Sequence, residues 1–400
     1  MTEDPLRDSL ARLSRHCVSE QYRGYSLYDS HTSPIPFHRF GGAVSFYTNQ
    51  VIKRSPINVR RLIGIKKGYN PKGVGLFLNA MTELLAHDTA IEVSLIEGTV
   101  EAEADRLWRW LRDNHSTGYS GLCWGYNYPW PKKDVGLVPA YLPSSVVTGF
   151  NSRAVFNLHR LSGSDETRDA LRSSARFILN DLPRTETEHG LCFSYLPIKR
   201  DRTINANLLA AEVLAYADWV SGTTDHEDTI RRVLSFTVAS QNEDGSWYYS
   251  FNGKGGAPKK QIDFHQGYVL ESILRICTWS GIEFDDYETV VDKGLRFYRE
   301  KQFDDLGNAY WRYPAKWPID IHNQSQGILT FSAFSESSPA LLELAQKVAL
   351  QTVSTMQSPR GNFWYQRWPI LINKVSYMRW NQAWMYNALV RLIIMRDNLS

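Results

Sequence analysis

Residues 227–280 read EDTIRRVLSFTVASQNEDGSWYYSFNGKGGAPKKQIDFHQGYVLESILRICTWS, and three phases succeed one another within them. From Glu227 to Gln241, apolar Ile230, Val233, Leu234 and Val238 share one face and charged residues the other, which predicts a helix lying on the outside of the molecule. Gly245 can then take a positive φ and is expected to end that helix, and Trp247, Tyr248 and Tyr249 suit a short extended segment. A Gly- and Lys-rich loop, Asn252 to Lys260, reads as a mobile connection that either closes over a site as a lid or is an ordinary surface loop. From Asp263 the chain becomes apolar nearly all round, the pattern of a helix covered on every side.

The same cycle recurs along the chain. Inner-type helices begin near Asn70, Ser144, Asn205, Asp263, Asp320 and Arg379; the first interval is 74 residues and the others are 61, 58, 57 and 59. Outer-type helices are expected over Val100–Asn114, Glu166–Asn180, Glu227–Gln241, Tyr287–Gln302 and Pro339–Gln357. Each is followed by a Gly-aromatic cluster, at Gly121, Gly190, Gly245, Gly307 and Gly361. A fixed period of this length marks stacked supersecondary units. Six cycles of two helices predict an all-α (α/α)6 toroid with short β-hairpin-like loops, inner helices surrounding a funnel. Closure removes the exposed ends that an open solenoid must cap. The domain reading is a catalytic toroid over residues 70–400 and, over 1–69, an N-terminal helix and irregular arm packing on it. Residues 18–69, rich in Tyr, Gly, Pro and His, are expected to hold no long helix and to lie over the cavity mouth.

Composition narrows the function. The chain has 400 residues, 43% hydrophobic and 22% charged, as an ordered globular protein does. No apolar run approaches the roughly 20 residues of a membrane span. The N-terminus lacks the basic and apolar regions of a signal peptide, so a cytoplasmic location is expected. Cys17, Cys123, Cys192 and Cys277 form no CxxC pair and no ligand spacing, which predicts buried thiols and no metal. A net charge of +3, from 45 basic and 42 acidic residues, does not call for nucleic acid. There is no GxGxxG after a strand, no P-loop, no HExxH and no GxSxG, so nucleotide handling and zinc proteolysis have no support. The 13 Trp and 21 Tyr exceed the usual needs of a core this size. They read either as stacking surfaces for sugar rings or as a Trp-rich core.

In a toroid the polar starts of the inner helices meet at one end of the funnel, where free N–H groups favour anions. Two copies of one tetrad fall there, Ile262-Asp263-Phe264-His265 and Ile319-Asp320-Ile321-His322. Asp263, His265, Asp320 and His322 are therefore candidate acid/base groups, or else helix caps and buried histidines satisfied by the backbone. Amides follow them, Gln266 and Gln324 among them. The sixth inner helix opens with Arg379, Trp380 and Asn381. A guanidinium forks onto a carboxylate and an indole stacks on a sugar ring, although an Arg–Trp contact within an ion-pair network is the alternative. Trp124, Tyr126, Arg312, Tyr313, Trp317 and Arg367 occupy the preceding loops. Repeated basic-aromatic pairing points to a carbohydrate carrying negative charge.

The stretches Lys53-Arg-Ser-Pro56-Ile-Asn-Val-Arg60, Asn70-Pro-Lys72-Gly, Gly121-Leu-Cys-Trp-Gly-Tyr126, Lys260-Gln-Ile-Asp-Phe-His-Gln266 and Arg379-Trp-Asn-Gln-Ala-Trp384 together resemble the prokaryotic polysaccharide-biosynthesis proteins called VpsJ-like, which include archaeal AglQ-type N-glycosylation proteins. The resemblance runs from about residue 20 to the C-terminus. It implies a cytoplasmic part in building uronate-containing surface glycans, with an acidic oligosaccharide or lipid-linked glycan as partner and peripheral contact with membrane biosynthetic machinery. The toroid with its closing Arg-Trp is also similar, more distantly, to the catalytic domain of glucuronyl C5-epimerases. The leading expectation is a cofactor-free uronate C5-epimerase: His265 and His322 opposed across the funnel, Tyr313 or Tyr249 sharing the acid role, and Arg379 holding the carboxylate. One alternative is a glycoside hydrolase or unsaturated-uronyl hydrolase using Asp263 and Asp320. The other is a non-catalytic glycan-binding protein.

Overall fold

The computed structural model describes residues 4–87, 91–132, 135–252 and 254–399. Gly253, in the Gly- and Lys-rich loop, lies outside them. The chain is an (α/α)6 toroid. Its inner helices are α3 (Pro71–Ala86), α5 (Ser145–Ser162), α7 (Ile204–Ser221), α9 (His265–Ser280), α11 (Ile321–Ala333) and α13 (Trp384–Asn398), the last entered through a π turn at Met378–Ala383. Each packs on the next, and α13 packs back on α3, closing the ring. The expected starts hold to within a few residues. Asn70 and Ser144 cap α3 and α5 with side-chain oxygens that accept from Gly73 and Val147 N–H, and Asp320 accepts from His322 N–H at α11.

Five outer helices follow their inner partners: α4 (Val100–Asp113), α6 (Asp165–Asp181), α8 (Glu227–Ala239), α10 (Glu288–Lys301) and α12 (Pro339–Met356). The sixth comes from the other end of the chain. Helix α1 (Pro5–Ser19) packs against α12 and α13 through Leu6, Leu10, Leu13 and Cys17, all buried. Arg7 fixes this junction, with Nη2 2.5 Å from Asp397 Oδ2.

The repeated glycines do not end the outer helices, which stop several residues before them, but they show how the layers are joined. A side chain at Gly121, Gly190, Gly245 or Gly361 would strike the carbonyl of Ser173 in α6, Arg232 in α8, Lys293 in α10 or Arg12 in α1. Close approach to an outer helix is thus required at each of these four turns, and α1 receives its turn as the others do. Short pieces of sheet form in the connections from outer to inner helices. Strands β1 (Trp130–Lys132) and β2 (Gly136–Val138) pair, as do β3 (Arg184–Thr187) and β4 (Gly190–Phe193). Strands β5 (Ile319–Asp320), β6 (Gln366–Arg367) and β7 (Ile372–Asn373) form an antiparallel three-stranded sheet.

The arm departs from expectation. Residues 42–54 form a 13-residue helix, α2 (Gly42–Arg54). Its N-cap is Gly41 with φ 100° and no capping side chain, so the sequence carries no start signal. The arm is braced internally by a buried ion pair, Arg60 Nε to Asp29 Oδ1 at 2.8 Å, and by Arg60 donating to the Ser26 carbonyl at 3.1 Å. Among the described residues no helix is long and apolar enough to cross a membrane, and no group of three or more His, Cys, Asp or Glu is placed to hold a metal ion.

Candidate active site

The inner-helix starts do converge. At α9, Asp263 Oδ1 accepts from His265 N–H at 3.2 Å and lies 2.5 Å from His265 Nδ1, while Asp263 Oδ2 accepts from Gln261 at 2.6 Å. Burial pushes the Asp263 carboxyl up, but His265 and these hydrogen bonds outweigh it and hold the group below the usual range. With Nδ1–H held by the carboxylate, His265 presents Nε2 outward, and its side chain remains 17% exposed.

At α11 the same tetrad is used differently. Asp320 caps the helix and also accepts from Trp380 Nε1 at 2.9 Å and Gln366 Nε2 at 2.7 Å. Burial raises its pKa, and these donors offset that only in part. His322 turns away from Asp320, and its Nε2 is 2.6 Å from the Tyr268 hydroxyl. The ring is enclosed by Phe264, Trp380 and Trp384, with centroids at 4.3, 4.2 and 4.7 Å. Burial first, then the positive charges of Lys72 and Arg379, press the His322 pKa well down, so the imidazole is neutral. Phe264 packs on both imidazoles, at 4.2 Å from His265 and 4.3 Å from His322. The expected open pair of opposed histidines is therefore not formed.

Arg379, in the π turn, is 3% exposed, and its Nε and Nη2 have no hydrogen-bond partner among the described residues. Its guanidinium lies over Tyr126 at 5.1 Å and Trp380 at 5.3 Å. Lys72, in the first turn of α3 and also 3% exposed, sits over Phe150 at 3.9 Å, near Trp384 at 5.1 Å and Tyr268 at 5.5 Å. Burial, then Arg379 and Arg153, push its pKa well below the usual lysine value. Neither basic group has a carboxylate partner among the described residues.

Tyrosines ring these groups. Tyr126 stacks on Tyr128 at 5.5 Å, and Tyr249 meets His265 edge-on at 4.7 Å. Burial raises the pKa of Tyr126, Tyr128, Tyr195 and Tyr249. Tyr28, from the arm, differs: Lys53 Nζ lies 3.3 Å from its hydroxyl and holds its pKa below the ordinary tyrosine value, with Arg379 and Arg312 contributing. Below Lys72 the funnel axis is filled by ion pairs, Arg153 with Glu212 and Arg391 with Glu83, around a residual cavity of about 20 Å³.

Other expected site residues lie elsewhere. Gln266, Gln324 and Asn381 do not face the funnel. Gln266 grips Trp247 N–H and C=O, Gln324 grips Ala309 N–H and Gly307 C=O, and Asn381 donates to the Phe363 and Val375 carbonyls. Trp124 is core, with Nε1 donating to the Leu111 carbonyl. Tyr313 packs on Phe297 of α10 at 5.4 Å, away from the imidazoles. Arg367 donates to Asn308 at 2.5 Å and lies 5.5 Å from the Trp317 ring; Arg312 is exposed over Trp311. These three side chains, Arg312, Trp317 and Arg367, are rim groups. The sequence reading missed Lys72, Tyr268 and Tyr28. The first lies within the opening turn of an inner helix, where the register argument would have found it. Tyr268 lies one turn beyond Phe264 on the same helix.

No protein-family model and no curated protein matches this chain. Solved structures do. A sugar epimerase from a ruminal bacterium superposes with a TM-score of 0.63 at 14% identity, covering 83% of this chain and 90% of that one. A cellobiose 2-epimerase from Bacillus thermoamylovorans gives 0.64 at 12%, covering 82% and 88%. An unsaturated glucuronyl hydrolase specific for heparin gives 0.64 at 11%, covering 99% and 98%. At such identities the likeness is one of fold.

Proposed function

We propose that the protein epimerises a uronic acid residue at C5 within an acidic glycan. The observation that carries this reading is the buried Arg379 guanidinium, with the Lys72 amine beside it and no carboxylate among the described residues to neutralise either. A buried charge without a counter-ion is costly, and a ligand carboxylate relieves both. Removing the proton next to a carboxylate spreads negative charge onto its oxygens, and fixed cations stabilise that charge.

His265, oriented by Asp263, takes the C5 proton on Nε2 and becomes imidazolium. Tyr28, made more acidic by Lys53, returns a proton from the opposite face and becomes a tyrosinate beside that ammonium. In the reverse direction the two exchange roles, and both recover their resting protonation through solvent. The solved toroids similar to this chain include sugar epimerases and a glucuronyl hydrolase, so the fold leaves both chemistries open. The hydrolytic alternative needs Asp263 and Asp320 free to act on a water and a leaving group. Both are buried, and all four of their oxygens are engaged within the protein. The VpsJ-like resemblance supports a surface or lipid-linked glycan as the polymer concerned.

The test is incubation with uronate oligosaccharides in deuterated water. The expected result is deuterium at C5 without chain cleavage, lost in His265→Ala and Tyr28→Phe while the fold is kept. Shortened products would move the assignment to hydrolysis, and tight binding with neither exchange nor cleavage would leave a glycan-binding protein.

A further inference from the structure

The outer side of the arm carries an unusual surface. On α2 the exposed residues Val44, Tyr47 and Val51 fall on one helical face, at 43%, 66% and 69% exposure. They border an apolar groove of about 480 Å³. The chain leaving α2 exposes Ile57 and Leu62. Beside it, the turn between β6 and β7 holds out Trp368, Ile370 and Leu371, with Ile370 fully exposed. The two pieces are joined, since Asn373 Nδ2 donates to the Ser55 carbonyl at 3.1 Å.

The charge around this surface is one-sided. Between Ser30 and Thr82 there are eight Lys and Arg and no Asp or Glu; between Leu344 and Arg396 there are seven and again none. Both segments contribute to the face, but Arg60, Lys72 and Arg379 are buried, and Arg391 and Arg396 are paired with Glu83 and Asp4, so these do not reach it. Arg54, Arg61, Lys66 and Lys374 are exposed among the apolar groups.

We infer that this face docks on an anionic lipid bilayer. An exposed apolar stripe, a projecting turn with Trp and Ile, and a basic surround are what a protein lying on a membrane presents. A second copy of the chain is a poorer occupant, because two such faces would bring like charges together. The arm also supplies Tyr28 and Lys53 at the funnel mouth, so docking sets the mouth beside the lipid surface. The inference does not depend on the epimerase reading.

The test is co-sedimentation of the full chain with phosphatidylcholine vesicles and with vesicles that also contain phosphatidylglycerol. Binding is expected to the anionic vesicles only, and to fall as salt rises. Ile370→Ser/Leu371→Ser and Arg54→Glu/Lys374→Glu are each expected to weaken it about tenfold or more. Turnover of a soluble oligosaccharide, and the circular dichroism spectrum, should not change. Absence of binding to anionic vesicles at low salt, binding that both variants retain in full, or a dimer in solution that hides the face overturns the inference.

Discussion

Two tetrads of one sequence pattern have different roles, and single contacts account for the difference. Asp263 bonds both the backbone and the ring of His265, making an accessible dyad. Asp320 bonds only the backbone of His322 and is otherwise held by Trp380 and Gln366, while His322 is drawn to Tyr268. The partners that decide this are distant in sequence, so the pattern alone could not separate a dyad from a cap. Lys72 has a residue-scale consequence. A buried amine whose charged form has no anion destabilises the empty protein, and Lys72→Met replaces it with an apolar chain of similar length. The variant is expected to be about 1–3 kcal/mol more stable to urea than the parent, and inactive. Equal or lower stability would mean that the ammonium is satisfied without a ligand.

Among the elements, the amides were legible as a repeat but not as a function. Gln266, Gln324 and Gln382 are spaced by 58 residues. Each holds the backbone of its Gly-aromatic strand through both ends of its amide, and Gln382 grips Phe363 N–H and C=O. Asn207 grips Phe193 N–H and Leu191 C=O in the same way, and Thr148 does so at Trp124 with its hydroxyl. An amide near a funnel suits a sugar hydroxyl as well as a peptide group. What settles its role is the strand lying against it. Gln324→Ala should orphan the Ala309 N–H and the Gly307 C=O and cost about 2–4 kcal/mol in chemical denaturation. Activity per folded molecule should stay unchanged. A large fall in kcat with stability intact would return Gln324 to the site. Helix α2 escaped the sequence reading for the opposite reason. It has no cap, and part of its apolar face is turned to solvent, so neither its boundary nor its burial pattern announces it.

At the scale of the whole molecule, the periodicity predicted the toroid because every cycle repeats the same packing problem. It did not reveal how the last gap is filled. Sequence order places α1 before the first cycle, yet in space it completes the sixth, against Gly361 and α12. Closure brings Lys72 of α3 and Arg379 of the last turn together, and Gly73 meets the Arg379 side chain directly. The two cations are 307 residues apart in the chain and neighbours only because the ring is shut. That juxtaposition is the centre of the account, and calorimetric titration tests it most directly. A uronate oligosaccharide and the same oligosaccharide reduced at its carboxylates are compared on the wild-type protein, Arg379→Met and Lys72→Met. The acidic form is expected to bind the wild type at least about tenfold more tightly than the neutral form, and either substitution to remove this preference. Equal affinity for the two forms, or a preference that survives both substitutions, would contradict it.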